Sequence, residues 1–146
     1  MLNIGILGAG RIGQVHGKTL AQMTTARAAA VSDFLPDAAK ALADKLGAKA
    51  MSTEEIIADK SIDAVIIGTP TTTHYDIIHE AAAAGKAIFC EKPVDLSTDR
   101  IRECLAVVEK AGVPFMTAFN RRFDPNFAHL QKQIADQVIG NVEIVT

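Results

Sequence analysis

Gly8-Ala9-Gly10-Arg11-Ile12-Gly13 follows directly on the apolar segment Leu2-Asn3-Ile4-Gly5-Ile6-Leu7, and these two segments decide the fold. The spacing Gly-x-Gly-x-x-Gly after an apolar run is typical of a strand, a tight turn and the start of a helix. In that arrangement Gly8 forms the turn, Gly10 lets the backbone approach a diphosphate, and Gly13 permits close packing of helix on strand. The unpaired N–H groups at the helix N-terminus favour the negative charge of a dinucleotide. A glycine-rich turn without a ligand is the alternative.

Asp33 strengthens this interpretation, because it follows Gly13 by 20 residues and ends the apolar run Ala28-Ala29-Ala30-Val31-Ser32. Dinucleotide-binding folds place at this point a carboxylate that accepts a hydrogen bond from the adenosine ribose. The same carboxylate repels the 2′-phosphate of NADP, and Phe34-Leu35-Pro36 supplies no cation to hold that phosphate. The sequence therefore predicts NAD rather than NADP as the cofactor, although Asp33 is also placed to cap a helix that begins near Pro36.

The length and the charge of the chain favour one domain with a small ligand. A chain of 146 residues can bury a substantial core, and the formal net charge is −2 at pH 7. This charge gives no electrostatic reason to bind nucleic acid or an anionic membrane. Without a basic leader or a long apolar segment, the expected location is the cytoplasm. Cys90 and Cys104 are too few for a disulfide framework and lack metal-site spacing, so no metal is expected and Cys104 is assigned to the core.

Apolar runs alternate with helical periodicities along the chain, which predicts an α/β fold with a doubly wound parallel sheet of the Rossmann type. The expected strands cover residues 2–7, 26–33, 48–51, 62–68, 86–90 and 113–118. Ala64-Val65-Ile66-Ile67 is apolar at consecutive positions, as expected of a central strand that is buried on both faces. A last helix is expected over 124–139, with Asp124 as its cap and Gly140 as its stop.

The final segment, residues 141–146, has the pattern of a new strand with nothing after it to cover its edge. Two interpretations fit this pattern. The chain is either a fragment of a longer protein or a small protein whose terminal strand pairs at the edge of the sheet.

Unusual residues follow the expected carboxyl ends of five strands. They are Gly8–Gly13, Asp33, Gly68-Thr69-Pro70, Glu91-Lys92-Pro93 and Asn120-Arg121-Arg122. In an open parallel sheet these positions share one rim, and ligands bind there in the crevice where the strand order reverses. One cofactor can therefore contact several of these segments.

Thr69-Pro70-Thr71-Thr72-Thr73-His74 forms a polar turn before an amphipathic helix. We expect its backbone, stiffened by Pro70, to line the nicotinamide end of the cofactor. Helix capping is the more ordinary role of Thr72 or Thr73, and a capping or surface position is the ordinary one for a lone histidine such as His74.

Lys92 is the candidate for chemistry, because it lies between a strand end and a proline and so is held more firmly than a lysine on an exposed helix. Near a cationic nicotinamide its charged form is disfavoured. Such a lysine can donate a hydrogen bond to a substrate hydroxyl or help to remove its proton as hydride leaves. Outside a dinucleotide site the same lysine is more simply a solvated surface residue.

Four motifs, taken together and in this order, resemble the Gfo/Idh/MocA oxidoreductases. They are the glycine run with His16 three residues beyond it, the stretch from Gly68 to His74, Phe89-Cys90-Glu91-Lys92-Pro93, and Asn120-Arg121-Arg122-Phe123-Asp124-Pro125. Glu-Lys-Pro is the discriminating motif, and the last motif is most similar to that of inositol 2-dehydrogenase-like members. The resemblance implies an NAD(P)-dependent oxidoreductase of sugars or polyols, with a larger sheet-based substrate domain after the Rossmann domain.

The resemblance also implies where the functional groups lie. It places the family's motif lysine at Lys92, as the catalytic residue, and its motif glutamate at Glu91, and it assigns a further Asp and His to a second domain beyond Thr146. Residues 1–123 then form the NAD-binding domain, and residues 124–146 form a linking helix and the first strand of a truncated substrate domain. The residues expected to bind the cofactor are Gly8, Gly10, Arg11, Ile12, Gly13, Asp33, Thr69, Pro70, His74, Glu91 and Lys92.

Two functions from different classes fit these motifs. The first is a dehydrogenase that transfers hydride from a sugar or a cyclic polyol, inositol in particular, to NAD, and that forms a homo-oligomer at full length. The second is a non-catalytic dinucleotide-binding sensor or regulator, since the same fold can bind the cofactor without hydride transfer. Lys92 favours the enzyme.

Overall fold

The computed structural model describes residues 1–144 of the chain. Its strands are β1 (Leu2–Leu7), β2 (Ala26–Ser32), β3 (Lys49–Ala50), β4 (Ala64–Ile67), β5 (Ala87–Cys90) and β6 (Phe115–Thr117). Its helices are α1 (Arg11–Leu20), α2 (Pro36–Leu46), α3 (Thr53–Ala58), α4 (Thr71–Ala83), α5 (Thr98–Ala111) and α6 (Pro125–Ala135), with a 3₁₀ turn at Asn120–Phe123.

The six strands form one sheet in the order β3-β2-β1-β4-β5-β6, and all neighbours are parallel. The order reverses between β1 and β4, which are adjacent although two strands separate them in sequence. This arrangement confirms the predicted doubly wound Rossmann fold, and it places the binding crevice beyond the carboxyl ends of β1 and β4.

Each predicted strand is present, but all except β1 are shorter than predicted. The residues outside the shorter strands belong to the loops at both ends of the sheet, and those at the carboxyl ends, such as Asp33 and Gly68, lie at the rim. Asp33, for example, was expected to end β2, yet its side chain accepts a hydrogen bond from the Ala9 N–H instead. The sequence reading missed α3, whose signal is a capping box between Ser52 and Glu55.

The carboxyl-terminal part of the chain departs from the prediction. Asp124 caps α6 as expected, since its Oδ1 accepts from the N–H of Asn126 at 2.9 Å. The helix ends at Ala135 rather than at residue 139, and Gln137 has a φ of 54° that an α-helix cannot accommodate. The predicted strand over 141–146 is wrong for residues 141–144, which lie exposed without strand pairing in the described part of the chain, and residues 145–146 lie outside the described residues.

Two apolar clusters cover the faces of the sheet. The cluster beneath α3, α4 and α5 contains Val65, Ile67 and Cys104, all fully buried. The cluster beneath α1 and α2 contains Ile6 and Val31, which are also fully buried. The predictions for the central strand and for Cys104 are therefore confirmed. Within residues 1–144, no helix combines the length and the apolarity needed to cross a membrane.

Candidate functional site

Two of the fingerprint glycines are required by the geometry of the loop between β1 and α1. Gly8 has a φ of +102°, which side chains rarely adopt, and a Cβ there would lie 2.6 Å from the carbonyl oxygen of Gly68. A Cβ on Gly13 would overlap the carbonyl oxygen of Gly8. Gly10 differs, because a Cβ on it would meet nothing within 4 Å. The space beside Gly10 is therefore open to a ligand.

The N-terminus of α1 has the features of an anion site. Gly10 is the N-cap residue, no side chain caps the helix, and the first turn contains no acidic residue. Backbone N–H groups and the positive end of the helix dipole are therefore available without a competing carboxylate. A dinucleotide diphosphate has the charge that suits this position.

Asp33 connects the end of β2 to the fingerprint loop. Its Oδ2 accepts from the Ala9 N–H at 2.6 Å, and its Oδ1 accepts from the Leu35 N–H at 2.9 Å. The N-cap residue of α2 is Leu35, without a side-chain cap, so the alternative that Asp33 caps this helix is wrong. Each carboxylate oxygen has a second lone pair, which leaves Asp33 able to accept from a ligand hydroxyl.

A cleft of about 780 Å³ opens at the reversal point of the sheet. Five of the predicted cofactor-binding residues line it, namely Gly8, Gly10, Asp33, Thr69 and Pro70. Sequence reasoning missed Ser52, Thr53 and Glu54, which follow β3 and also line the cleft. The rule that strand ends share one rim would have identified them, had it been applied to β3 as well.

Glu91 is held by partners within the chain. Its Oε1 lies 2.8 Å from His16 Nε2, and its Oε2 accepts from the Lys92 N–H at 3.3 Å. The His16 ring also packs edge-on against Phe89, with the ring centroids 5.3 Å apart. The contact joins α1 to the end of β5. The sequence reading noted His16 as part of a motif but did not assign it this partner.

Lys92 is exposed and lies next to a second pocket of about 560 Å³, which it lines with residues 118–122. The peptide bond between Lys92 and Pro93 is cis. The structure therefore brings together two of the predicted rim segments, the Glu-Lys-Pro loop and Asn120-Arg121-Arg122, in a pocket separate from the lining of the larger cleft.

The structure places His74 in the interior, where it is 1% exposed. Its Nε2 lies 2.9 Å from the Thr69 carbonyl oxygen, and its Nδ1 lies 3.0 Å from that of Pro93. Both ring nitrogens are thus directed at backbone oxygens rather than at the cleft. This geometry corrects the expectation that the His74 side chain contacts the cofactor, and it also excludes a surface position.

Three other predicted residues, Arg11, Ile12 and Gly13, do not line the large cleft. Arg11 is exposed and borders a groove between α1 and α2. Ile12 is half-buried, and its Cγ2 lies against Gly68, 3.2 Å from where a Cβ would stand. The side chain of Ile12 thus packs the fingerprint helix against the end of β4.

The remaining ionisable candidates offer neither a metal site nor a reactive thiol. Within residues 1–144, no three His, Cys, Asp or Glu side chains are grouped so that they could hold a metal ion. Burial raises the pKa of the Cys90 thiol to about 12 and that of Cys104 to about 11. Both therefore remain neutral thiols near neutral pH.

Comparison with known proteins agrees with this geometry. Residues 2–119 match the family described as "Oxidoreductase family, NAD-binding Rossmann fold". The chain is 50% identical over 145 residues to the inositol 2-dehydrogenase of Rhizobium meliloti, covering 99% of this chain and 44% of that protein. It thus spans less than half the length of this relative.

Two solved structures are similar to this one. A myo-inositol dehydrogenase from Corynebacterium glutamicum superimposes with a TM-score of 0.88 at 39% identity, covering 98% of this chain and 43% of that chain. A scyllo-inositol dehydrogenase from Lactobacillus casei, solved with bound NAD(H) and scyllo-inositol, gives a TM-score of 0.90 at 28% identity, covering 96% of this chain and 42% of that chain. The chain belongs to the Gfo/Idh/MocA oxidoreductase family, of which it forms the NAD-binding Rossmann domain.

Proposed function

We propose that this chain is the cofactor-binding part of a dehydrogenase that transfers hydride from a hydroxyl-bearing carbon of a cyclic polyol, inositol in particular, to NAD. The observation that carries the proposal is the position of Lys92. It borders the pocket formed with residues 118–122, while the adjacent Pro93 is linked through His74 to the cofactor-lining residue Thr69. Relatives named as inositol dehydrogenases support the choice of substrate.

Different residues of the cleft suit different parts of NAD. The N-terminus of α1 at Gly10 would hold the diphosphate, and Asp33 would accept from the adenosine ribose. Thr69 and Pro70 would line the nicotinamide end. Arg11, Ile12 and Gly13 contribute through the backbone of the fingerprint helix. Glu91 would act through its contact with His16, which fixes the loop that carries Lys92.

Lys92 would handle the proton of the reacting hydroxyl. When bound, NAD supplies the acceptor for the hydride. As the carbon loses hydride, the hydroxyl loses its proton and becomes a carbonyl. A neutral Lys92 amine can accept that proton. A charged Lys92 would instead donate a hydrogen bond to the hydroxyl oxygen, while the hydroxyl proton goes directly to a base of the substrate domain.

Joining residues 1–146 to the remaining part of the Rhizobium meliloti relative tests the proposal, because 50% identity favours correct docking of the two parts. We expect this chimera to produce NADH from myo-inositol or scyllo-inositol. Lys92→Ala should lower its kcat by about 100-fold or more while NAD affinity stays within a few-fold, as expected of a positioned proton-transfer group. Full turnover by the isolated chain, or an unchanged kcat in Lys92→Ala, contradicts the mechanism.

The second candidate function is the non-catalytic sensor, favoured by the exposure of Lys92 and by its position outside the lining of the cofactor cleft. Tight NAD binding by a folded chimera that leaves both inositols and common aldoses unoxidised would support it.

For the dehydrogenase we further propose residues 1–123 as the cofactor domain, residues 124–146 as the link to the substrate domain, a cytoplasmic location and a homo-oligomer at full length.

A further inference from the structure

His74 is the one buried histidine whose two ring nitrogens, within residues 1–144, face two different loops. Nε2 lies 2.9 Å from the Thr69 carbonyl oxygen, and Nδ1 lies 3.0 Å from that of Pro93. Each nitrogen donates to its carbonyl when it carries a proton. The thiol of Cys90 lies 3.5 Å from Nδ1 and donates to the Glu91 carbonyl oxygen at 3.3 Å. One ring thus joins the loop after β4 to the loop after β5.

These two loops have different tasks in the proposed site. Thr69 and Pro70 line the cofactor cleft, whereas the residue before Pro93 is Lys92. The side chain of Lys92 is exposed, so its location depends on where the loop backbone is held. A shift of about 1 Å in a reacting group can cost a large factor in rate, which makes the backbone at Pro93 a sensitive point.

The other side of the loop is held in a similar way. His16, on α1, contacts Glu91 at 2.8 Å, and α1 begins at the fingerprint loop. Lys92 therefore lies between Glu91, which contacts His16 on α1, and Pro93, which His74 connects to Thr69 in the loop before α4. Both helices begin at segments that line the cofactor cleft.

We propose that His74 is a positioning residue, which fixes the Lys92 loop relative to the loop that lines the nicotinamide end of the cofactor. This inference rests on the proposed function of Lys92. His74 acts through Thr69 and Pro93 and does not itself touch the cofactor, because it is buried behind both loops. A part-buried carbonyl that loses its donor costs free energy, so the loop whose carbonyl accepts from the ring is expected to move when the ring is removed.

Three substitutions separate the two contacts. His74→Leu removes both ring nitrogens and so both contacts. His74→Asn places an amide nitrogen near the position of Nδ1 and so can keep the contact to Pro93, whereas His74→Gln reaches toward the position of Nε2 and can keep the contact to Thr69. The matched control is His79→Leu, on the same helix, because His79 Nδ1 faces only its own helix at the Tyr75 carbonyl oxygen, 2.8 Å away.

The first measurement uses the 146-residue chain itself. In the Asn variant, the carbonyl ¹³C chemical shift of Pro93 should stay near its wild-type value and that of Thr69 should change. In the Gln variant, the shift of Thr69 should stay near its wild-type value and that of Pro93 should change. NADH affinity, followed by fluorescence, should remain within about 3-fold in the Gln variant and fall about 10-fold in the Leu and Asn variants, since only Gln holds the cofactor loop. Equal losses of affinity in all three variants overturn the inference.

The second measurement uses the chimera and separates positioning from packing. His74→Leu should lower kcat by about 30-fold with the KM for inositol changed less than about 3-fold, and His74→Asn should recover at least about 5-fold of kcat. The His79→Leu control should match wild type. A kcat that stays at the wild-type value in His74→Leu, or one that neither amide variant restores, overturns the inference.

The Lys92→Ala chimera keeps the two proposals distinguishable. If Lys92→Ala retains kcat, the proposed function has failed. If Lys92→Ala loses turnover and folded His74→Leu does not, only the positioning role has failed. If His74→Leu does not fold, the Asn and Gln variants still test the positioning role through their carbonyl ¹³C shifts. The inference expects a changed Thr69 carbonyl in the Asn variant and a changed Pro93 carbonyl in the Gln variant. If both carbonyls change in both variants, the inference is overturned.

Discussion

Gly10 is the N-cap of α1 and Gly13 lies in the first turn of that helix, and their missing side chains serve different purposes. A Cβ on Gly13 would overlap the carbonyl oxygen of Gly8, whereas one on Gly10 would meet nothing within 4 Å. The backbone at Gly10, with φ −66° and ψ −167°, is also acceptable for alanine. The absence of a side chain at Gly10 therefore leaves space for a ligand, whereas its absence at Gly13 is required for the helix to pack in the folded chain.

Alanine substitutions at the two positions should separate these roles. Gly10→Ala should change the free energy of unfolding by less than about 1 kcal/mol but weaken NADH binding by about 10-fold or more, because the methyl group stands where the diphosphate approaches. Gly13→Ala should cost on the order of 2–3 kcal/mol through overpacking against backbone. Denaturant melts and NADH titrations measure both quantities. Unchanged NADH affinity in Gly10→Ala would place the diphosphate elsewhere.

Asp33 should make the chain prefer NADH to NADPH by at least several-fold. Repulsion between one carboxylate and a 2′-phosphate at a partly buried site is worth more than about 1 kcal/mol. Asp33→Ala also removes the acceptor of the Ala9 N–H, so absolute affinities will fall for both cofactors. The ratio of the NADH affinity to the NADPH affinity reports only on the effect of Asp33 at the adenosine ribose. This ratio should be smaller in Asp33→Ala than in the wild-type chain. Equal affinities of the wild-type chain for NADH and NADPH would refute this role of Asp33.

At the scale of elements, β4 is the centre of the sheet. It pairs with β1 on one side and β5 on the other, and Val65 and Ile67 are fully buried. Truncating either residue to alanine should cost roughly 2–4 kcal/mol through lost burial and a residual cavity. Val138→Ala, at a position that is 64% exposed, is the control and should cost less than about 0.5 kcal/mol. Denaturant melts measure the loss of unfolding free energy. A loss in the Val65 or Ile67 variant as small as that in Val138→Ala would contradict the central position of β4.

The strands were predictable because a buried parallel strand leaves a continuous apolar run, as in residues 64–67. The short helix α3 was not, since its six residues are too few for a clear helical period. The candidate site likewise contains a part that the sequence predicts and a part that it does not. The glycine run and Asp33 have fixed spacing in sequence, whereas the partners of His74 are 5 and 19 residues away on separate loops. Only the packed fold shows that the ring is enclosed between them.

The whole molecule consists of a well-packed sheet domain and a peripheral helix. α6 contains no buried residue, and its main contacts are with the 3₁₀ turn at Asn120–Phe123. The ion pair between Arg121 and Asp124 and the contact of Arg121 with the Phe127 ring are both exposed. Exposed contacts of this kind add little stability. The last buried residue of the sheet domain is Ala118, so the exposed segment that contains the proposed boundary begins at residue 119.

Truncation after Phe123 tests that boundary. Because burial of apolar area supplies most of the stability, and α6 buries none of its residues, we expect the chain 1–123 to melt within about 3 °C of the chain 1–146. Its NADH affinity should stay within about 2-fold, since the residues that line the cleft all precede residue 78. Truncation after Cys90 is the matched control, because it removes β6 and α5 with the buried Cys104 and Val108 and should abolish cooperative unfolding. A large loss of stability or of NADH affinity in the chain 1–123 would make α6 part of the cofactor domain rather than a link to the next one.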